Sequence, residues 1–189
     1  ELVRLGFPSP SISVLPNVVD ADKLQRLDRN AARRRLGLPP GELIAYVGHY
    51  HHVKGVEVLV EAFGRVAERR TDCRLALAWS GLGDAGSVEQ GIGHLGIGGR
   101  VLRLGRLPIG YFLSAVDALV LPYRFTMGQN AYPGLILEAM AVGVPLITSD
   151  LPLLRELLDH EGAALLVPPN DPMAMANAID SLLDAERLA

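Results

Sequence analysis

Short apolar runs alternate with segments of helical periodicity along most of this chain, and this alternation limits its possible folds. The apolar runs have the length of buried strands and occupy residues 43–47, 75–80, 101–104, 118–121, 144–148 and 164–167. Helical patterns fill most of the intervening segments, and an Asn170-Asp171-Pro172 cap begins the last of them. Strands connected through helices pair in parallel. The sequence therefore predicts an α/β fold with one doubly wound parallel sheet.

Length and charge set the broad class of protein. A chain of 189 residues with 49% hydrophobic residues suits one well-buried α/β domain, so residues 1–189 are expected to form a single domain. A net charge near −3 argues against a nucleic-acid partner. The basic run at 33–35 is predicted to lie on the solvated face of a helix.

Other features of composition concern the compartment and the extent of the chain. One cysteine, Cys73, excludes an intrachain disulfide and suits a reducing compartment. No apolar run in the sequence reaches the roughly 18 residues that would span a bilayer. A cytoplasmic protein, or one at a membrane periphery, is therefore expected. Because the chain begins without a methionine, at what reads as a helix end, we expect a fragment of a longer protein.

One carboxylate lies in an otherwise apolar helix. Proline suits the first helical position and glycine the residue just past the end, so Pro133 and Gly143 frame a short helix. Glu138 falls in its middle among apolar neighbours, which predicts a buried carboxylate. Such a group needs a polar partner. The partner is either a ligand diol such as ribose, which we favour, or an internal arginine, with Arg124 and Arg155 as candidates.

The segment 48–55 is predicted to form a loop between the first long strand and its helix. Proteins of the α/β class place anion-binding loops there, and Gly48 would let a ligand approach the backbone. Lys54 is expected near a helix start, where a cation opposes the macrodipole and a phosphate would relieve the conflict. The alternative is a solvated lysine. The three histidines of this loop have no cysteine or carboxylate beside them, so we expect exposed histidines and no metal site.

Three motifs occur in an order and spacing that are typical of one protein family. They are Pro16-Asn17-Val18-Val19-Asp20, then Val47-Gly48 followed by Lys54-Gly55, and finally Glu138-Ala139-Met140-Ala141-Val142-Gly143-Val144-Pro145. Together they resemble the C-terminal, nucleotide-sugar-binding domain of retaining GT-B glycosyltransferases, over essentially the whole chain. The resemblance implies a Rossmann-like domain that is the C-terminal half of a GT-B fold, with the N-terminal acceptor domain absent.

The resemblance also implies an activity and a set of roles. The full-length enzyme would transfer a sugar from a nucleoside diphosphate sugar to an acceptor with retention of configuration, without a metal or other cofactor. Lys54 would neutralise the donor diphosphate, and the backbone amides of Gly134 and Leu135 would bind it. Glu138 would bind the ribose hydroxyls, and residues around Arg106 would border the base. The implied partners are the nucleotide sugar, the N-terminal domain and, for the full-length protein, a membrane surface.

Two positions depart from the family pattern. His49 stands where the family has an arginine after Gly48, so phosphate binding would depend more on Lys54. Asn130 stands eight positions before Glu138, where the family has a sugar-side glutamate. An asparagine can bond a sugar hydroxyl but brings no negative charge. These departures motivate the alternative of a non-catalytic nucleotide-binding partner subunit of the same fold. A second alternative is a nucleotide-sugar epimerase or a phosphorylase of similar architecture.

Overall fold

A computed structural model describes residues 2–13, 17–125, 133–158 and 162–188 of the chain. Within these ranges, six parallel strands form one sheet. The strands are β1 (Glu42–Tyr50), β2 (Cys73–Gly83), β3 (Val101–Leu104), β4 (Ala118–Leu121), β5 (Leu146–Ser149) and β6 (Leu165–Val167). The helices are α1 (Arg29–Leu36), α2 (Val56–Arg69), α3 (Ala85–His94), α4 (Ile109–Ala115), α5 (Gly134–Val142), α6 (Pro152–Leu158) and α7 (Pro172–Leu188). The predicted α/β class with a doubly wound parallel sheet is confirmed.

The order of the strands determines where a ligand can bind. The sheet runs β3-β2-β1-β4-β5-β6, so the chain leaves β1 in one direction and returns at β4 to build outward in the other. The central pair is in register at Ile44 with Ala118 and at Ala45 with Leu119. Connections on either side of such a switch point diverge and leave a crevice at the carboxyl ends of the strands. The crevice of this sheet therefore lies above β1 and β4.

Strands β1 and β2 extend past the predicted ends, and their extensions pair with each other. After a register shift, Tyr50 pairs with Gly83, and both Gly48 and Gly83 belong to strands. Gly83 has φ of +97°, and a Cβ there would lie 2.1 Å from the backbone oxygen of Tyr50. Gly48 was predicted to lie in a loop, and that prediction is wrong because the pairing of two irregular strand ends is not visible in either segment alone. Helix α6 was not predicted.

The sheet is covered on both faces. The central strands are apolar along their length because helices pack on either side of them, as expected for a parallel sheet. The largest fully buried side chains are Tyr46, Phe63, Phe112, Leu43, Ile44, Leu59, Leu75, Leu77, Ile92, Leu113, Leu119 and Leu121. Among the described helices, none is long and apolar enough to cross a membrane.

The basic run at 33–35 does not lie wholly on a solvated face, so that prediction is wrong for its first residue. Arg33 is buried, and its Nε donates to the backbone oxygen of Ala115 at 2.7 Å. Its Nη2 bonds Asp117 Oδ2 at 2.7 Å, and the same oxygen accepts from the amide of Leu43 at 2.7 Å. Arg33 thus joins α1 to the beginnings of β1 and β4. The next two arginines are exposed, as predicted.

Candidate functional site

A cleft of about 490 Å³ opens above the carboxyl ends of the strands. It is lined by Val47, Gly48, His49, Lys54, Ala78, Trp79, Ser80, Gly105, Arg106, Leu107, Ile109, Phe112, Tyr123, Pro133, Gly134, Leu135 and Glu138. Seven of the eight residues proposed from the sequence are therefore brought to one place. The eighth, Asn130, lies outside the described residues.

Lys54 enters this cleft from a short 3-10 turn, His52–Lys54, that leads into α2. Its side chain is half-buried, and burial lowers its pKa from the ordinary lysine value. Over the described part of the chain, no carboxylate lies within ion-pair distance of its ammonium group. The ammonium group lies over the ring of Tyr123, whose centroid is 4.7 Å from Nζ. Lys54 is therefore partly shielded from solvent, and its contact with a ligand stays a prediction.

His49 and Gly48 belong to β1 and not to a loop. His49 is exposed, and its Nδ1 forms a short hydrogen bond with the hydroxyl of Ser80 on the neighbouring strand β2. One ring nitrogen is therefore occupied, which limits the orientation of the imidazole. Gly48 has φ of +145°, and a Cβ there would approach the hydroxyl of Tyr46 to 3.1 Å. A side chain at this position would thus be strained, and the backbone stays open to the cleft.

Helix α5 presents its N-terminus to the cleft. Pro133 is the residue before the first turn, one position earlier in the helix than predicted, with φ of −59°. Gly134 and Leu135 begin the helix, so the helix contains no backbone carbonyl that could accept a hydrogen bond from their amides. Gly143, with φ of +70°, ends the helix as predicted. The first turn therefore combines backbone donors with the positive end of the helix dipole, which suits an anion.

Glu138 lines the cleft and is half-buried, so the prediction of full burial is wrong. The two arginines considered as its partners are engaged elsewhere. Arg124 donates to Asn170 Oδ1 at 2.8 Å, and Arg155 pairs with Asp150 at 2.6 Å. Within the ranges that the structure covers, no hydrogen bond or ion pair engages the Glu138 carboxylate. It is half-exposed because α5 faces the cleft there, and its oxygens are available to a ligand.

The histidines that follow β1 do not converge on a metal site. His51 Nδ1 accepts a hydrogen bond from the amide of Val53 at 3.4 Å, so this side chain caps the 3-10 turn. The ring of His52 lies 6.5 Å from that of Phe125. Among the described residues, no group of three or more His, Cys, Asp or Glu side chains is placed to hold a metal ion.

Sequence reasoning missed several residues that line the cleft. Tyr123 follows β4, and Trp79 and Ser80 lie toward the end of β2. Each is close to the carboxyl end of a predicted strand, which is the signal that could have identified them. The Trp79 ring stacks on Tyr50 at 5.2 Å, and its Nε1 donates to the backbone oxygen of Leu82 at 2.7 Å. The wall of the cleft at β2 is therefore aromatic, and stacking and a hydrogen bond hold its indole ring.

Two curated relatives are each 31% identical to this chain. The alpha-D-kanosaminyltransferase of Streptomyces kanamyceticus aligns over 172 residues, which is 89% of this chain and 43% of the relative. The D-inositol 3-phosphate glycosyltransferase of Nocardia farcinica aligns over 201 residues, which is 100% of this chain and 44% of the relative. The chain thus spans less than half the length of these relatives.

Solved structures of similar fold include sucrose-phosphate synthase from Thermosynechococcus elongatus. It has a TM-score of 0.75 and 27% identity over 88% of this chain and 42% of its own. Anabaena HepE in complex with UDP-glucose has a TM-score of 0.82 and 21% identity, over 98% of this chain and 51% of its own. The C-terminal domain of a glycosyl transferase group 1 family protein from Francisella tularensis gives 0.74 at 19% identity, over 90% of each chain.

The family model described as glycosyl transferases group 1 matches residues 41–185. The matched range contains every described strand of the sheet and every residue that lines the cleft. The relatives, the fold and this match agree with the resemblance seen in the three sequence motifs. The chain therefore belongs to the glycosyl transferases group 1 family, and its Rossmann-like sheet is that of a GT-B glycosyltransferase.

Proposed function

We propose that this chain is the donor-binding half of an enzyme that transfers a sugar from a nucleoside diphosphate sugar to an acceptor with retention of configuration. The observation that carries the proposal is the placement of Lys54, the first turn of α5 and Glu138 around one cleft. These groups supply one cation, backbone donors for an anion and one carboxylate acceptor. A nucleoside diphosphate needs the first two for its phosphates and the third for its ribose.

The charges in the cleft support a diphosphate as the bound group. A half-buried ammonium without a carboxylate partner is costly to keep charged, and burial already lowers the pKa of Lys54. A phosphate between Lys54 and the amides of Gly134 and Leu135 would compensate both the cation and the helix dipole. This arrangement would offset part of the diphosphate charge, with about half a positive charge from the helix N-terminus added to that of the lysine. His49, oriented by Ser80, would contribute a further donor from β1.

The rest of the nucleotide would follow the cleft across the sheet. Glu138 would accept hydrogen bonds from the ribose hydroxyls, and Arg106 and its neighbours after β3 would border the base. Because this chain matches less than half of its curated relatives, we infer that the acceptor site lies on a separate N-terminal domain. The isolated chain is expected to bind nucleotide weakly and to catalyse no transfer.

Calorimetry of the 189-residue chain with UDP, GDP and ADP tests the proposal. At least one of the three is expected to bind, because the groups that contact diphosphate and ribose are all on this chain. Free uridine, which lacks the diphosphate, is the matched control and is expected to bind far more weakly than UDP. Absence of heat with all three diphosphates, for a protein whose circular dichroism shows it folded, would refute the proposal.

The ribose contact of Glu138 has its own test. Glu138→Gln removes the charge but keeps the shape, and hydrogen bonds to a charged group contribute about 1.5–3 kcal/mol. We therefore expect Glu138→Gln to weaken UDP binding about tenfold or more. Binding of 2′,3′-dideoxy-UDP, which has no diol, is expected to be equal for the two proteins. An equal loss for both ligands would show that Glu138 does not act through the ribose.

A further inference from the structure

The ammonium group of Lys54 lies over the face of a buried aromatic ring. Its Nζ is 4.7 Å from the centroid of the Tyr123 ring, and Tyr123 is only 7% exposed. The negative face of an aromatic ring attracts a cation at this distance, and the attraction is stronger where water is excluded. With no carboxylate in ion-pair range among the described residues, the ring is the group that stabilises this cation in the absence of a ligand.

The backbone after β4 is fixed directly to the turn that carries the lysine. The amide of Arg124 donates to the backbone oxygen of Val53 at 3.0 Å. Gly55, with φ of +65°, packs so closely that a Cβ there would lie 2.0 Å from the backbone oxygen of Pro122. The segment 53–55, which carries the ammonium group, and the segment 122–124, which carries the ring, are therefore held against each other.

The segment after β4 is in turn anchored to two other elements. Arg124 Nη1 donates to Asn170 Oδ1 at 2.8 Å, and Nη2 lies 3.7 Å from Glu57 Oε2 in the first turn of α2. The only non-glycine residue with positive φ among those described is Asn170, at +59°. The two contacts of Arg124 fix the position of the neighbouring Tyr123 ring relative to the cleft before any ligand binds.

The chemical state of the ring follows from its burial. Burial raises the pKa of Tyr123, so its hydroxyl stays protonated under physiological conditions. The contact with Lys54 is therefore one between an ammonium and a neutral ring face, and a phenylalanine could make it equally well. Other titratable groups around this part of the cleft are Tyr46, Glu57, His49, His51, His52 and Glu138.

We propose that Tyr123 is a positioning residue for Lys54: its ring face holds the ammonium at the cleft, ready for the diphosphate of the donor. The proposal rests on the proposed function, in which Lys54 contacts that diphosphate. An aliphatic side chain at 123 would fill similar space but would offer no negative face to the cation. The aromatic face, and not the hydroxyl or the bulk, is the property that matters.

A double-mutant cycle on UDP affinity separates this role from a purely structural one. Tyr123→Phe is expected to keep the affinity within about twofold, and Tyr123→Leu to weaken it about tenfold. In a Lys54→Met background, Tyr123→Leu is expected to have no further effect, because its action depends on the ammonium. An equal loss in both backgrounds would overturn the proposal.

The ring contact also has a test that needs no nucleotide. Lys23 and Lys54 are the two lysines of the chain, so an NMR titration of lysines carrying a 13C label at Cε shows two signals. Lys23 is exposed and serves as the internal control. Tyr123→Leu is expected to lower the pH at which Lys54 loses its proton, while Tyr123→Phe leaves it unchanged. An unchanged Lys54 titration in Tyr123→Leu would overturn the proposal, even in a protein that binds UDP.

A variant that does not fold would not prevent the test. If Tyr123→Leu is unfolded by circular dichroism, a ring-fluorinated phenylalanine at position 123 keeps the size and removes the negative face. It is expected to lower the pH at which Lys54 loses its proton, as Tyr123→Leu does. If that pH stays the same, the proposal is overturned. Failure of the wild-type chain to bind UDP, GDP and ADP would instead refute the proposed function, and the lysine titration distinguishes the two failures.

Discussion

Replacement of Lys54 with methionine is expected to weaken UDP binding by about 10- to 150-fold, the loss that corresponds to a charge-assisted contact of about 1.5–3 kcal/mol. Methionine keeps most of the side-chain length and removes the charge. Because the lysine has no carboxylate partner within the described residues, its removal leaves no buried anion behind, and the loss should be larger in binding than in folding, where only the contact with the Tyr123 ring is lost. Calorimetry and thermal unfolding measure the two effects separately.

Lys23 provides the control for this experiment. It is exposed and pairs with Asp20 at 2.8 Å, so Lys23→Met changes the net charge by the same amount without touching the cleft. UDP affinity of Lys23→Met is expected to equal that of the wild-type chain. If the two variants lose affinity equally, long-range charge explains the effect and Lys54 has no direct contact with the diphosphate.

The pH dependence of UDP binding tests whether the contact of Lys54 with the diphosphate needs the charged ammonium. Burial lowers the pKa of Lys54 from 10.5, so its ammonium is lost at a lower pH than that of an exposed lysine. Affinity for UDP is expected to fall as the pH rises through that lowered value, because the neutral amine no longer balances the diphosphate. Lys54→Met should lack this fall. A parallel fall in the variant would assign the pH dependence to another group.

Gly55→Ala is expected to lower the free energy of unfolding by about 4 kcal/mol or more, the largest effect on stability that we predict. Two costs combine at this position. The backbone has φ of +65°, which an alanine adopts only with strain, and the new Cβ would lie 2.0 Å from the backbone oxygen of Pro122. A backbone atom directly after β4 cannot move away as a flexible side chain could. Urea unfolding followed by circular dichroism measures the loss.

Gly37→Ala is the matched control because it has the first cost without the second. Gly37 has φ of +63° at the end of α1, and a Cβ there would meet nothing within 4 Å. Its substitution is expected to cost about 1–2 kcal/mol, the usual penalty of a left-handed alanine. The difference between the two variants measures the packing of the Lys54 turn against the segment that follows β4. Equal losses would show that this contact is loose.

The candidate site illustrates how far local sequence signals reach. Pro133 and Gly143 framed α5 to within one residue because the two ends of a helix are encoded by the residues that occupy them. Glu138 and Lys54 were identified because each is chemically out of place in its own segment. All of these signals lie within a few positions of the residue they describe. Asn130 lies outside the described residues, so its role stays a prediction.

The sequence by itself determined the class of fold, the ends of α5 and the residues whose chemistry is out of place in their own segment, since these follow from periodicity and capping within single elements. Only the tertiary structure decided which groups meet. It buried Arg33 against Asp117, turned the arginine candidates away from Glu138 and laid Lys54 on Tyr123. Apart from the local pair of Arg155 with Asp150, these contacts join residues tens of positions apart, and they depend on strand order and on how each element packs, which no local pattern contains.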